Sequence, residues 1–282
     1  MILSAQAVAL VLLAALLHAA WNATVKVGGD RLAVLAIANA TGFVICLSAL
    51  PFLPLPAAAS WPFLIASALL HTGYYFFLVR AYEVGDLSHV YPLARGLSPL
   101  LVVAVAAIAA GELLPPLALA GVALAALGIA SLAFESGPPW RHARRPLFYA
   151  CATAAFIAAY TVADGMGVRR AGNALAYIAW LGVLDGLPIM LAAWYRRRRV
   201  LVATLGASWR KGCATGVLQL AAYGLVIWAM GQGTMAAVSA LRETSVIFAA
   251  LIGAFVLRER FGGVRIAAAV IVACGLILMR VG

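Results

Sequence analysis

Ten times along this chain a run of about 20 mostly apolar residues gives way to a short polar break, the length that carries a helix across a hydrocarbon core. Only helices or closed barrels keep their backbone groups bonded in lipid. The runs lie near 5–25, 32–53, 61–82, 87–110, 113–134, 147–166, 174–195, 212–231, 234–257 and 261–281. The predicted fold class is therefore all-α integral membrane, with ten transmembrane helices. Composition agrees. With 66% hydrophobic residues, 10% charged residues and a mean hydropathy of +1.05, there is more apolar surface than a water-facing globule could bury. The first run lacks a basic stretch before it and exceeds a signal-peptide core in length, so it is read as a helix of the mature chain.

The net charge of +11 does not point to nucleic acid, because the basic residues form no face with interleaved aromatics. Eighteen of the 20 lysines and arginines lie in or beside the breaks, where charge orients a membrane protein and meets anionic lipid headgroups. Odd-numbered breaks carry fifteen of them, including Arg80, Arg144, Arg145, the run Arg196 to Arg199, Arg210 and Lys211. Even-numbered breaks and the C-terminus carry only Arg169, Arg170 and Arg280. In a bacterial inner membrane this bias puts the odd breaks in the cytoplasm and both termini outside. Cys46, Cys151, Cys213 and Cys274 are scattered without a CxxC spacing, so no metal or redox site is expected. No P-loop is present, and no cofactor is expected.

The chain repeats itself. The stretch from Tyr82 matches the stretch from Met230: Gly85 falls on Gly233, Val90 on Val238 and Leu93 on Leu241. After a one-residue gap Glu112 falls on Glu259 and Gly128 on Gly275; the first offset also sets His71 against Gln219 and Tyr75 against Tyr223. Trp21-Asn22 faces Tyr160-Thr161. Residues 1–134 and 147–282 thus read as two five-helix repeats joined by a polar linker at 135–146. An odd number of helices per repeat turns the second copy upside down, a common transporter device.

The segments HAAWNATVK, GDLSHVYPLARGLSPLLV with its following GE, AAYTVADG and LRERFGG resemble the EamA-type drug/metabolite transporters over essentially the whole chain. The resemblance implies ten helices as two inverted five-helix repeats around a central cavity. That cavity would be lined mainly by helices 1, 3, 4, 6, 8 and 9. Members export amino acids, other metabolites or drugs, and some import. They commonly place both termini in the cytoplasm, against the loop charges of this chain.

Ionisable groups inside a span cost roughly 2.5 to 3.5 kcal/mol each on insertion scales, which makes them functional candidates. They are Arg95, Asp185, Arg242 and Glu243, with His18, His71 and His89 as titratable neighbours; Asp164 lies close enough to a helix end to reach water. Arg95 is expected to pair across the repeats with Glu243 or Asp185. Arg242 and Glu243, about 100° apart on a helix, are expected to face different partners. His18, Trp21 and Asn22 share one helix face. Tyr75 joins His71 in a stripe that Gln219 and Tyr223 echo in the other repeat. Each stripe alone could be packing. Together with Tyr91 and Tyr160 they read as the wall of an amphipathic pocket. Pro92 frees a carbonyl near Arg95, and Gly182-x3-Gly186 and Gly212-x3-Gly216 let helices approach closely within a monomer.

These residues read as a secondary transporter, not an enzyme. The expected substrate is a small amphipathic metabolite, an amino acid or relative, exported by alternating access, with a coupled proton carried by one of the histidines. The alternatives are a lipid-carrier flippase and an intramembrane transferase, the latter lacking a nucleophile–base constellation. In a variant stripped of native cysteines, single cysteines at Ser136 and Ser208 should stay unlabelled by an impermeant thiol reagent in intact cells. Ready labelling of both would reverse the orientation.

Overall fold

A computed structural model describes residues 3–26, 31–85, 87–134, 144–255 and 262–282. Residues 135–143, most of the expected linker, lie outside these, as do Glu259 and the side chains of His89 and of Arg196 to Arg199.

The described residues form helices and no strand. Those of the first half are α1 (Ala5–Lys26), α2 (Arg31–Ala49), α3 (Trp61–Val84), α4 (Leu87–Ala110) and α5 (Pro116–Ser131). Those of the second half are α6 (Arg144–Arg170), α7 (Ala174–Met230), α8 (Met235–Arg242), α9 (Ser245–Phe255) and α10 (Gly263–Val281). Nine stretches among them are long and apolar enough to cross a membrane, and a shorter apolar helix, Ala174–Pro188, makes a tenth.

Two elements depart from expectation. Helical backbone runs unbroken through the arginine-rich stretch expected as a loop, giving α7 57 residues. It cannot be a rod. A straight helix would hold Tyr177 and Tyr223 about 69 Å apart, yet both hydroxyls bond Asp164. Leu220 also packs against the cluster of Cys46, Ala179 and Val183. The element therefore doubles back into two antiparallel arms. Secondly, the expected helix 234–257 is broken at Glu243-Thr244, between α8 and α9. Its counterpart α4 stays continuous in spite of Pro92 and Pro99.

Contacts sort the helix ends onto two faces. Arg280 Nη1 donates to Leu3 O (2.7 Å), so the two chain ends meet. Gly282 abuts Ala118 at the start of α5, and Glu112, just before it, pairs with Arg169 at the end of α6. Across this terminal face, Ala57 N bonds Ala171 O (3.1 Å). On the opposite face Thr24 meets Thr215 (2.8 Å) and Gly85 abuts Pro146. Thus α1 begins on the face where α6 ends. The opposite face holds Arg80, Arg144 and Arg145 around a cleft of about 350 Å³, with Val84, Phe148 and Tyr149 completing its lining.

Lipid offers no hydrophobic drive to pack helices, so close approach of small residues carries much of the contact. The main packed pairs are α2 with α7, α3 with α6, and α5 with α10. Both expected glycine pairs work inside the chain. Gly182 and Gly186 receive Cys46 and Phe43 of α2, and Gly212 and Gly216 receive Ile37 and Ala38. The α5–α10 crossing is tighter. A Cβ on Gly275 would stand 2.6 Å from Ala125 N and from Gly121 O, backbone atoms that cannot swing aside. Gly275→Ala should therefore lower stability in detergent by about 1–3 kcal/mol. Gly42→Ala, with nothing within 4 Å of the new methyl, should leave stability level or raised by about 0.5–1 kcal/mol. Thermal unfolding of the two variants side by side checks the pair.

Candidate functional site

Three buried charges meet where α4 faces α8. Arg95 Nη2 lies 2.9 Å from Glu243 Oε1, and Arg242 Nε lies 4.0 Å from the same oxygen. The first contact is the cross-repeat pair expected from the sequence. The second overturns the expectation that Arg242 and Glu243 face different partners. The reason is the helix break: Arg242 ends α8 and Glu243 sits in the turn that follows, so the 100° rule of a continuous helix no longer separates them. The Arg95 side chain is 8% exposed, that of Arg242 6% and that of Glu243 0%, so water does not solvate the group. Two guanidiniums against one carboxylate leave a net charge of +1. Arg95 Nε and both Arg242 Nε and Nη2 are buried without hydrogen-bond partners. Both Glu243 oxygens are likewise without a hydrogen bond, so charge and not hydrogen bonding joins the three side chains.

A ring cluster adjoins the charges. His71 stacks on Tyr160 (centroids 3.9 Å apart), and Tyr223 meets both edge-on. Tyr74 packs against Tyr160 and Tyr75. His71 Nδ1 lies 2.9 Å from Ser67 O, a carbonyl that can only accept, so Nδ1 carries the hydrogen. Tyr160 lies within electrostatic reach of Arg95, Arg242 and Asp164, between groups of opposite sign. Tyr91 is near Arg95.

Asp164 is the residue that sequence reading misplaced. It was expected to reach water near a helix end, but it is 0% exposed. Tyr177 donates to its Oδ1 (3.1 Å) and Tyr223 to its Oδ2. It lies more than a full turn inside the end of α6, because α6 runs on to Arg170 instead of stopping near 166. Spacing gave one usable signal: Tyr160 and Asp164 stand four apart and share a face.

The other sequence candidates divide. His18 and Trp21 touch edge-on (5.1 Å) on α1, and Asn22 turns its amide back to His18 O (2.8 Å). Trp21 Nε1 and Gln219 Oε1 are buried without partners. His18 lies near Arg95 and Arg242. Thus His18, His71, Tyr75, Tyr91, Arg95, Tyr160, Tyr223, Arg242 and Glu243 are linked by ring contacts or charge. The His89 side chain lies outside the described residues. Among the described residues, no three His, Cys, Asp or Glu side chains group as metal ligands.

This is a helical membrane protein with a charged, aromatic-lined centre. Residues 144–281 match the EamA-like transporter family, in agreement with the resemblance seen in the sequence. The fold of the chain is similar to that of a protein of known crystal structure at 19% identity and a TM-score of 0.80, over 98% of this chain and 97% of that one. No curated protein matches the sequence.

Removing the shared anion should expose the energetics of the centre. Glu243→Gln leaves two buried guanidiniums uncompensated and should cost about 3–5 kcal/mol. Adding Arg95→Gln to it should recover part of that loss. Unfolding of single and double variants in detergent gives the coupling.

Proposed function

We propose that the protein is a secondary transporter that exports small amphipathic metabolites, amino acids or related compounds, by alternating access between two inverted five-helix repeats. One observation carries the reading: Arg95 and Arg242, from equivalent places in the two repeats, converge on Glu243 and keep a net positive charge with unused donors. A planar guanidinium fork suits a carboxylate, and the rings of Tyr160, His71 and Trp21 suit an apolar side group. The inverted arrangement draws support from α1 beginning on the face where α6 ends. The reading puts the arginine-rich face in the cytoplasm.

A flippase is the second reading, because the arginine-lined cleft beside Phe148 and Tyr149 is a basic site at one face. Sealed proteoliposomes holding only this protein separate the two. Export requires solute-dependent flux, whereas a flippase moves labelled lipid and leaves solutes where they are. Within the transporter reading, Arg95→Gln lets Glu243 neutralise Arg242, which cancels the positive charge of the site. Binding of a carboxylate solute should weaken by roughly 1.5–3 kcal/mol in a protein that still folds. Unchanged binding would make Arg95 a packing residue.

A further inference from the structure

The ring cluster has a second pole. Asp164 is fully buried, and its two oxygens accept from the neutral hydroxyls of Tyr177 and Tyr223, with no lysine or arginine paired to it among the described residues. Asp185, on the first arm of α7, lies within electrostatic reach of both His71 and Asp164. Its Oδ1 is buried without a hydrogen-bond partner. Hydroxyl donors steady a carboxylate but do not cancel its charge, and an uncompensated charge in a low-dielectric interior is costly. Two carboxylates beside a single imidazole make this pole acidic in character. The pole at Arg95, Arg242 and Glu243 stands at +1. Tyr160 lies between them.

An orphan acceptor in an acidic pole, walled by the rings of His71, Tyr75, Tyr160 and Tyr223, is the chemistry that receives an organic ammonium. The carboxylates offer charge and acceptors, and the ring faces offer cation–π attraction. We propose that Asp164 and Asp185, gathered at His71, form a subsite for a protonated primary amine of the transported solute. In this division of roles Asp185 contacts the ammonium. Asp164 is a positioning residue that keeps Tyr223 and Tyr177 in place and adds charge. The inference rests on the transporter reading for its use, but the subsite can fail alone. A solute with both an ammonium and a carboxylate would engage both poles.

The test uses the purified full chain in detergent and three probes of one shape: isopentylammonium, isopentanol and 4-methylpentanoate. Thermal stability is followed as each is titrated at constant ionic strength. Isopentylammonium should stabilise the protein saturably, and isopentanol should not. Asp185→Asn should weaken the amine's apparent affinity by about tenfold to a hundredfold, while the response to 4-methylpentanoate persists. Arg95→Gln should do the reverse. Tyr223→Phe, which keeps both carboxylates, should weaken the amine less than Asp185→Asn. If the amine has no saturable effect on wild type, or acts equally on Asp185→Asn, the subsite is refuted. A site that answers only to pH, with no amine effect, refutes it too and makes the cluster a proton carrier. Solute flux in proteoliposomes that survives Asp185→Asn without amine recognition refutes the subsite and leaves the transporter reading standing. Absence of any solute flux from wild type removes that reading instead, whatever the amine does to stability.

Discussion

Charge buried in lipid must find its compensation within the protein, and that requirement organises the centre of this molecule. Moving one guanidinium or carboxylate alone into the core costs several kcal/mol even after relaxation. Arg95 of α4 and Glu243 between α8 and α9 meet that cost jointly, which fixes the distance between helices from the two halves. The break at Glu243-Thr244 follows from the same need. A regular helix would turn Arg242 away from Glu243, whereas the turn lets both reach one oxygen and Arg95. The backbone freed at the turn is not left open. Glu243 N bonds Ala240 O and Thr244 N bonds Leu241 O, both at 3.1 Å, and the residues are buried in protein as irregular backbone at membrane depth requires.

Around that centre, packing divides the labour. The α2–α7 and α5–α10 contacts use glycine to bring backbones close, and they stand apart from the charged group. The pairs α3–α6, α4–α6 and α1 with the second arm of α7 bring the polar side chains together. Ring stacking of His71 of α3 on Tyr160 of α6 is part of the second set. Substitutions at the glycines therefore act on packing alone, while those at the charges change both stability and the charge that the centre carries.

Much of this was legible before any coordinates. Hydrophobic runs of spanning length gave the helices, since lipid permits little else. The offset between the halves picked out His71, Tyr223, Arg95 and Arg242, because equivalent places in two repeats can meet at a shared interior. What escaped has definite causes. The reversal within α7 falls between Gly186 and Gly212, which both pack on α2, a stretch that includes Pro188; the polar arginine run there resembles a loop in composition although its backbone is helical. The break after Arg242 falls in LRETS, with neither glycine nor proline to announce it. Asp164 looked solvated because the expected helix stopped near 166, between Gly165 and Gly167. Those glycines instead make room for Met235 and for Tyr177, whose hydroxyl bonds Asp164.

The terminal face is held by a different kind of contact. Glu112 pairs with Arg169 (2.6 Å) and accepts from Met235 N (2.8 Å) at the start of α8, where helix amides favour a carboxylate. Arg169 also donates to Met230 O and Gly233 O. One ion pair thereby joins the link between α4 and α5, the end of α6 and the turn before α8. Hydrogen bonds to charged groups are worth about 1.5–3 kcal/mol each, so parting this face forfeits several at once. Water entering the opening would replace some of that loss, because these groups lie near the surface and not beside the buried triad. In the proposed exchange of faces, the remainder must come from new contacts at the arginine-rich face. The buried ion pair need not break, since it can travel as a unit between the two halves.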